Sequence, residues 1–231
     1  MFAYIYACWL DTFAPRWCAI CESKLSLSER VVCLVCKPDL PYLNSNFSIQ
    51  NHIEKLFWGR VPVHSVTALL SYTKGSTVGN ILHGLKYNGY QDYGIYLGKM
   101  LGNKLRKMDA FLSVDFVLAV PLHHLKHKKR GYNQAEIIAK EVAETLGAEF
   151  RVDVLEKIQN NDSQTRKGRI DRWENATNSY RLKATEDLTN KHILIIDDVI
   201  TTGATIEACC EVILKQFDVK ISIAAAAYTY N

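Results

Sequence analysis

No stretch of this 231-residue chain is apolar for long enough to cross a bilayer, since a spanning helix needs about 20 consecutive apolar residues. The first ten residues, MFAYIYACWL, are apolar and aromatic, but they lack a basic leader and a small-residue cleavage site, and Asp11 and Pro15 break the run soon after Leu10. They read as a short packing helix rather than a secretion signal. With neither export nor membrane signals in view, the expected compartment is the cytoplasm. A dominant charge is also missing. The 28 Lys and Arg against 24 Asp and Glu leave +4, too little by itself to imply nucleic-acid binding. No internal repeat and no low-complexity tract occurs, which excludes solenoids and biased arrays. What is present is ordinary globular composition, 48% hydrophobic and 23% charged, and it supports one main domain with a small appendage.

The seven cysteines are not spaced like a disulfide framework. Cys18-x2-Cys21 and Cys33-x2-Cys36 form two pairs separated by eleven residues. Two such pairs in a cytoplasmic protein read as four thiolates around one Zn2+. The site is expected to be structural, because four protein ligands leave no open position for a substrate. Metal binding then supplies folding energy that about forty residues lack. Two redox pairs, or unrelated buried thiols, are the alternatives. Cys209 and Cys210 fall in a later apolar helix and read as inert core thiols. Pro38, Pro41 and the polar Asn44, Ser45 and Asn46 mark a boundary, giving a module over 1–45 and a larger domain over 46–231.

Beyond that boundary, strand-like and helix-like segments alternate. Strands are expected over 63–72, 116–120, 192–196 and 219–229. Helices are expected over 77–87, 93–108, 133–147 and 205–217. Continuous apolar strands alternating with helices predict an α/β fold whose parallel sheet is covered on both faces.

The stretch HILIIDDVITTGAT (192–205) carries the chemistry. A buried strand ends in two carboxylates, a threonine-rich turn comes next, and a helix begins. Ligands of parallel sheets bind beyond the carboxyl ends of strands. The first N–H groups of the helix, its dipole and the threonine hydroxyls suit an anion, and Gly203 lets the backbone approach it. Asp197 and Asp198 repel phosphate, so they suit sugar hydroxyls or a divalent metal. A phosphate attached to a sugar satisfies both halves. The turn has neither the Gly-Lys-Ser/Thr of a P-loop nor the spaced glycines of a dinucleotide fingerprint.

This stretch resembles the phosphoribosyl-pyrophosphate signature of type I phosphoribosyltransferases, and the wider chain resembles the ComF (competence protein F) family. The resemblance is carried by CAIC…CLVC, ILHGLKYNG, VPLHHLKHKKRGYNQA and QTRKGRIDRWENATNSY together with the signature. It implies a type I phosphoribosyltransferase core, a twisted parallel sheet flanked by helices, with an N-terminal zinc ribbon. It implies that Asp197 and Asp198 bind the ribose hydroxyls of phosphoribosyl pyrophosphate with help from Mg2+. It also implies that Thr201, Thr202, Gly203, Ala204 and Thr205 hold the 5′-phosphate, with Val199 in the same substrate-binding stretch. The turn through Pro121, Leu122 and His123 takes the place of the pyrophosphate loop. The implied reaction moves a ribosyl 5-phosphate to a nucleophile and releases pyrophosphate, and no general base for the acceptor stands out.

Three further segments have readings of their own. Lys126, Lys128, Lys129 and Arg130 form a basic loop beside the expected crevice. Arg130 is the preferred catalytic cation, because its planar fork matches pyrophosphate oxygens. His123, His124 and His127 fit no metal template, and solvent exposure or phosphate contact is expected of them. Residues 160–182 form the longest polar stretch. A mobile lid over about 160–177, with Gln164 and Arg166 reaching substrate and Trp173 anchoring its end, suits this segment, with an ordinary solvated linker as the alternative. Lys86 ends an amphipathic helix, within reach of a phosphate in one reading and, as is usual for a helix-end lysine, complementing the dipole in the other.

Two functions are compatible with these readings. One is an enzyme that transfers phosphoribosyl groups. The other, which the resemblance implies through its link to natural transformation, is a protein that handles single-stranded DNA and keeps a nucleotide-like pocket for binding or regulation. Its partners would be DNA and the proteins of the DNA-uptake machinery. Tyr87, Tyr90, Tyr93 and Tyr132 are then candidates for a stacking surface, with core packing as the plainer alternative.

Overall fold

The computed structural model describes residues 15–43, 52–158, 179–183 and 186–229. In chain order its elements are β1 (Ser65–Tyr72), α1 (Thr77–Tyr87), α2 (Gln91–Leu105), β2 (Phe116–Ala119), α3 (His124–Arg130), α4 (Gln134–Leu146), β3 (Glu149–Arg151), β4 (Leu155–Lys157), β5 (Tyr180–Leu182), β6 (His192–Ile200), α5 (Ala204–Leu214) and β7 (Lys220–Thr229). Five strands make one sheet in the order β1-β7-β6-β2-β3, and every pairing in it is parallel. The α/β fold with a parallel sheet is therefore as expected.

Side-chain alternation explains how both faces are filled. In β6, Leu194 and Ile196 join the core beneath α1, α2 and α4, whereas Ile193 and Ile195 join the core beneath α5. The Ala224–Ala227 run of β7 is fully buried. Helices α2 and α4 meet through a stripe of Gly94, Gly98 and Gly102. A Cβ on Gly98 would lie 2.7 Å from both the Ile138 carbonyl oxygen and Glu141 Cβ. Gly98→Val is therefore expected to cost about 1–3 kcal/mol by overpacking. Thermal unfolding checks this, and an unchanged midpoint would disprove the close approach.

The topology fixes where a ligand can sit. From β2 the chain crosses through α4 outward to β3; from β6 it crosses through α5 the other way to β7. The carboxyl ends of β2 and β6, which are neighbours, flank the point where the strand order reverses. That crevice is the usual ligand position in open parallel sheets.

Two expectations need correction. Strand β6 does not stop at Ile196 but continues through Asp197 and Asp198 to Ile200, because residues 197, 199 and 200 still pair with β7. The basic run is not a loop. Residues 124–130 form the short helix α3, closed by Gly131 at φ 82°.

The cysteine-bearing segment packs onto the main core. Cys18, Leu25, Val31, Val32, Cys33 and Leu40 share one buried cluster with α1, α2 and α4. The Leu43 N–H donates to the Leu69 carbonyl (2.9 Å) and the Ser71 N–H to the Pro41 carbonyl (2.8 Å), so residues 41–43 line the outer side of β1. Lys104 seals this join by donating to the Leu43 and Ala68 carbonyls at 2.7 and 2.6 Å. Among the described residues, no helix is long and apolar enough to cross a membrane.

Candidate functional site

The two acids lie side by side in sequence but face opposite sides of the sheet. Asp198 continues the register of Leu194 and Ile196 and turns toward α1, where Lys86 Nζ lies 2.8 Å from its Oδ2. Asp197 continues the register of Ile193 and Ile195 toward α5. Burial and the neighbouring Asp198 charge push the Asp197 carboxyl up to about 7. A hydrogen bond from the Asp198 N–H to Asp197 Oδ1 (2.8 Å) and the charges of Lys86 and Lys157 act the other way.

The opposite end of β6 carries a second perturbed group. His192 is buried between the Ser113 and Ser222 hydroxyls, 2.9 and 2.8 Å away. Burial first, then Lys220 and His64, lower its imidazole to about 4. The two shifts act oppositely on stability. Asp197, raised from 3.8, holds a proton in the folded chain that the unfolded chain has released, so its contribution is largest below pH 4 and is lost as pH rises through about 7. His192, lowered from 6.5, stays neutral while the unfolded chain takes a proton, so its contribution is present above 6.5 and is lost as pH falls toward 4. Asp197→Asn should therefore lose stability relative to wild type as pH falls from 7 to 4, and His192→Gln should gain relative stability over 6.5 to 4. Urea midpoints across this range check both slopes, and parallel curves for all three proteins would refute them.

Beyond β6, Thr201 and Thr202 are exposed and Gly203 turns the chain at φ 78°. A Cβ there would stand 3.0 Å from Phe57 Cζ, so position 203 needs glycine for conformation and for space. Among the described residues no side chain caps α5, which leaves its first N–H groups for a ligand. The loop and Asp197 line a hollow of about 30 Å3. It is a shallow cradle of backbone with a carboxyl at its wall.

The facing turn is held against this loop. The Val120 N–H donates to the Ile196 carbonyl at 2.9 Å. Asn133 donates to the Val120 carbonyl at 3.0 Å while capping α4 through the Ala135 N–H at 3.1 Å. Pro121 and Leu122 are half-buried at the crevice. His123 corrects the expectation of solvent exposure. It is buried, its Nδ1 caps α3 by accepting from the Leu125 N–H at 3.3 Å, and its ring packs on His124. Burial lowers its pKa. His124 and His127 are exposed. Arg130 is half-buried, donates to Gln134 Oε1 at 2.8 Å and lies 5.2 Å over the Tyr87 ring. The Tyr132 hydroxyl donates to the Leu85 carbonyl. Tyr132 thus packs, whereas Tyr87 and Tyr90 are exposed.

Strands β4 and β5 pair antiparallel and bring Lys157 over the Tyr180 ring, 5.0 Å from its centre. Tyr180 is buried, and burial raises its pKa. The stretch between them, with Gln164, Arg166 and Trp173, lies outside the described residues. Lys157, Tyr180 and Phe57 border the site without a sequence signal, because each is distant in sequence from the motif. Lys86 was visible only as a helix-end lysine, and its pairing with Asp198 exceeds a dipole role.

The sulfur atoms of Cys18, Cys21, Cys33 and Cys36 all lie within 4.8 Å of one another, a set that can hold a metal ion. The turns are tight. The Glu22 N–H donates to the Cys18 carbonyl (3.0 Å) and the Lys37 N–H to the Cys33 carbonyl (3.0 Å). The Cys33 N–H donates to Cys18 Sγ and the Cys36 N–H to Cys33 Sγ, each at 3.4 Å. Such N–H···S bonds favour thiolates. Cys209 and Cys210 are buried in α5, and burial raises both thiols.

The phosphoribosyl transferase domain family matches residues 128–231, which include the acids, the threonine turn and α5. The DNA utilization protein YhgH of Salmonella typhimurium is 23% identical over 216 residues, covering 87% of this chain and 92% of that relative. Competence protein F of Haemophilus influenzae is 26% identical over 102 residues, 44% of each chain. The domain match and these similarities together support a type I phosphoribosyltransferase fold of the ComF kind. A purine phosphoribosyltransferase structure from Pyrococcus horikoshii aligns over 62% of this chain and 74% of its own at 21% identity and a TM-score of 0.37, too loosely to bear on function. Within this parallel-sheet fold, the acid pair and the β2 turn meet at the sheet's reversal point, and the basic helix α3 lies just beyond that turn.

Proposed function

We propose that the crevice between β2 and β6 binds phosphoribosyl pyrophosphate with Mg2+ and transfers its phosphoribosyl group to an acceptor, releasing pyrophosphate. The observation that carries this reading is the juxtaposition at the reversal point. One side offers an uncapped helix end with a glycine at φ 78°, and the other offers two carboxyls on opposite faces of one strand. Thr201, Thr202, Gly203, Ala204 and Thr205 would hold the 5′-phosphate through amides and hydroxyls. Asp197 and Asp198, with Val199 beside them near the end of β6, would take the ribose hydroxyls. Pro121, Leu122 and His123 would border the pyrophosphate, and Gln164 and Arg166 would approach from the stretch after β4.

The donor set suits Mg2+, a hard cation that prefers carboxylates and phosphate oxygens. Lys86 Nζ already stands 2.8 Å from Asp198, so this carboxylate occupies a place where a cation stabilises it. When bound, Mg2+ would neutralise charge on the leaving group. The chain itself positions the sugar and places Arg130 and Lys157 near the accumulating negative charge. Arg130 is held by Gln134 and Tyr87, so it would act from a fixed place. Calorimetry with phosphoribosyl pyrophosphate, with and without Mg2+, tests the reading. Saturable, Mg2+-dependent heat is expected, and its absence in both titrations would refute the proposal.

We place one Zn2+ on Cys18, Cys21, Cys33 and Cys36. Tetrahedral Zn–S bonds of about 2.3 Å require sulfurs about 3.8 Å apart, and Cys21 Sγ and Cys33 Sγ are separated by 3.7 Å. Its role would be structural, holding the segment that covers β1.

A second reading, single-stranded DNA handling, is favoured by the exposed basic helix α3 and by the DNA utilization and competence roles named for the relatives. DNA-uptake proteins would be its partners. The two readings are compatible: no residue of α3 lines the threonine-loop hollow, and Arg130 is the one α3 residue that both readings use.

A further inference from the structure

We propose that the cleft between the cysteine segment and the helices α1 and α2 is a second binding site, for a planar heterocycle bearing an exocyclic amine, the chemistry of an amino-substituted nucleobase. The cleft is open to solvent on one side and offers about 680 Å3, within the size range of small-molecule sites. Trp17 enters it from the first cysteine turn, Asn80 and His83 from the exposed side of α1, Asn88 from just beyond α1, and Tyr90 and Tyr93 from the start of α2.

The aromatic groups are unspent. Trp17 is 56% exposed and Tyr90 50% exposed, although both belong to well-fixed backbone. Trp17 pairs across its turn with Lys24, and the Tyr93 N–H donates to the Tyr90 carbonyl at 3.1 Å. The Tyr90 and Tyr93 rings pack 5.1 Å apart, which holds Tyr90 in place and leaves a face available for stacking. A π-face on each side of a cleft suits a flat ring, which gains stacking energy whatever its substituents.

The polar groups supply the edge recognition. The Asn80 and Asn88 carboxamides make no hydrogen bond within the described residues, so both bring an unused donor pair and acceptor. A carboxamide matches the donor–acceptor edge of an amino-substituted ring nitrogen. Glu22, also lining the cleft, is an acceptor only and fits the amine. A ring presenting a carbonyl where the amine stands would meet Glu22 with like polarity. The preference is therefore for adenine- and cytosine-type rings over thymine.

The cleft is independent of the phosphoribosyl reading. Asn80 and His83 lie on the same helix as Lys86, but none of the acids or threonines of the β6 loop lines the cleft. The ring can come from a free nucleoside or from a strand, and the chemistry is shared.

The test is calorimetry on the full chain with adenosine, cytidine and thymidine at millimolar concentration, and with dA and dT oligonucleotides at equal base concentration. Adenosine or cytidine should bind at least tenfold more tightly than thymidine. Trp17→Ala and Asn80→Ala should each weaken that binding at least tenfold. Trp17→Phe, which keeps a ring in place, should retain most of it, and Asp198→Asn should leave it unchanged. Asn80 is exposed on α1, so its variant keeps the test valid if Trp17→Ala fails to fold. Tighter binding of the dA oligonucleotide than of adenosine supports the cleft with a strand as its source, and equal or weaker binding supports it with a free nucleoside. The absence of saturable binding by any nucleoside or oligonucleotide, or affinities unaltered in both Trp17→Ala and Asn80→Ala, overturns the proposal. Loss of nucleoside binding in Asp198→Asn also overturns it, by placing the ring in the β6 crevice instead.

Discussion

Asp198→Asn is expected to weaken phosphoribosyl pyrophosphate binding in the presence of Mg2+ roughly tenfold to a hundredfold, the value of one lost charge-assisted contact. The same change should alter stability little. The Lys86–Asp198 pair at 2.8 Å is mostly buried, with side-chain exposures of 25% and 14%, but the carboxamide that replaces the acid can still accept from Lys86, so the loss should stay at about 1–2 kcal/mol. The separation of the two readouts matters. A large loss of stability would mean that Asp198 is a packing residue. An unchanged affinity would mean that the acid pair does not touch the ligand. Lys86→Met provides the opposite control. It removes the internal cation that competes for Asp198, so the Mg2+ dependence should persist and Mg2+ should be needed at lower concentration. Loss of Mg2+ dependence in that variant would assign the cation role to Lys86 itself.

Gly203→Ala is expected to damage both fold and binding. An L-residue at φ 78° costs roughly 1–2 kcal/mol, and a Cβ 3.0 Å from Phe57 Cζ adds an overpacking cost of about 1–3 kcal/mol. The combined loss of about 2–5 kcal/mol should appear as a lowered urea midpoint. Moving the turn also re-aims the first amides of α5, so inorganic phosphate, measured on the chain that remains folded, should bind more weakly. Phe57→Leu in the same chain should return part of the stability but not the backbone preference, which distinguishes crowding from conformation. Wild-type stability in Gly203→Ala would show that the loop accommodates a side chain, against a tight cradle at this turn.

The parts of the fold that the sequence disclosed are those set by local pattern. The buried runs at 116–120 and 192–196, the periodic segments at 77–87 and 133–147, and the helix containing Cys209 and Cys210 all appear within a few residues of expectation. Strand β6 runs four residues past its apolar run, since pairing to β7 holds residues that hydropathy would release. Helix α3 was hidden because seven residues with His127, Lys128, Lys129 and Arg130 in the last turn have no apolar face to reveal a period. The α2 glycine stripe was legible in principle as Gly-x3-Gly-x3-Gly, but its meaning depends on α4, which contributes Ile137, Glu141 and Thr145 to the contact.

The candidate site divides along the same line. Its acids and threonine turn are contiguous, so one motif contains them. Period-two geometry further implies that adjacent acids face opposite sides, and Asp198 toward Lys86 with Asp197 toward α5 obeys that rule. Lys157, Tyr180 and Phe57 reach the site through the β4–β5 pairing and through packing on Gly203. Contacts of that kind are set by tertiary structure alone. The buried His123 illustrates the reverse problem, because a histidine in a basic run carries no mark that it caps the adjoining helix.

The strip formed by residues 41–43 has a consequence for how the chain avoids mispairing while it folds. Its two backbone bonds to β1 and the Lys104 ammonium beside them occupy groups that would otherwise face outward along the margin of a parallel sheet. An uncovered margin of that kind is a template for recruiting strands from other molecules. The cysteine-bearing segment therefore doubles as a guard against self-association, and shortening the chain past Leu43 would open a sticky flank on a protein whose crevice is otherwise intact.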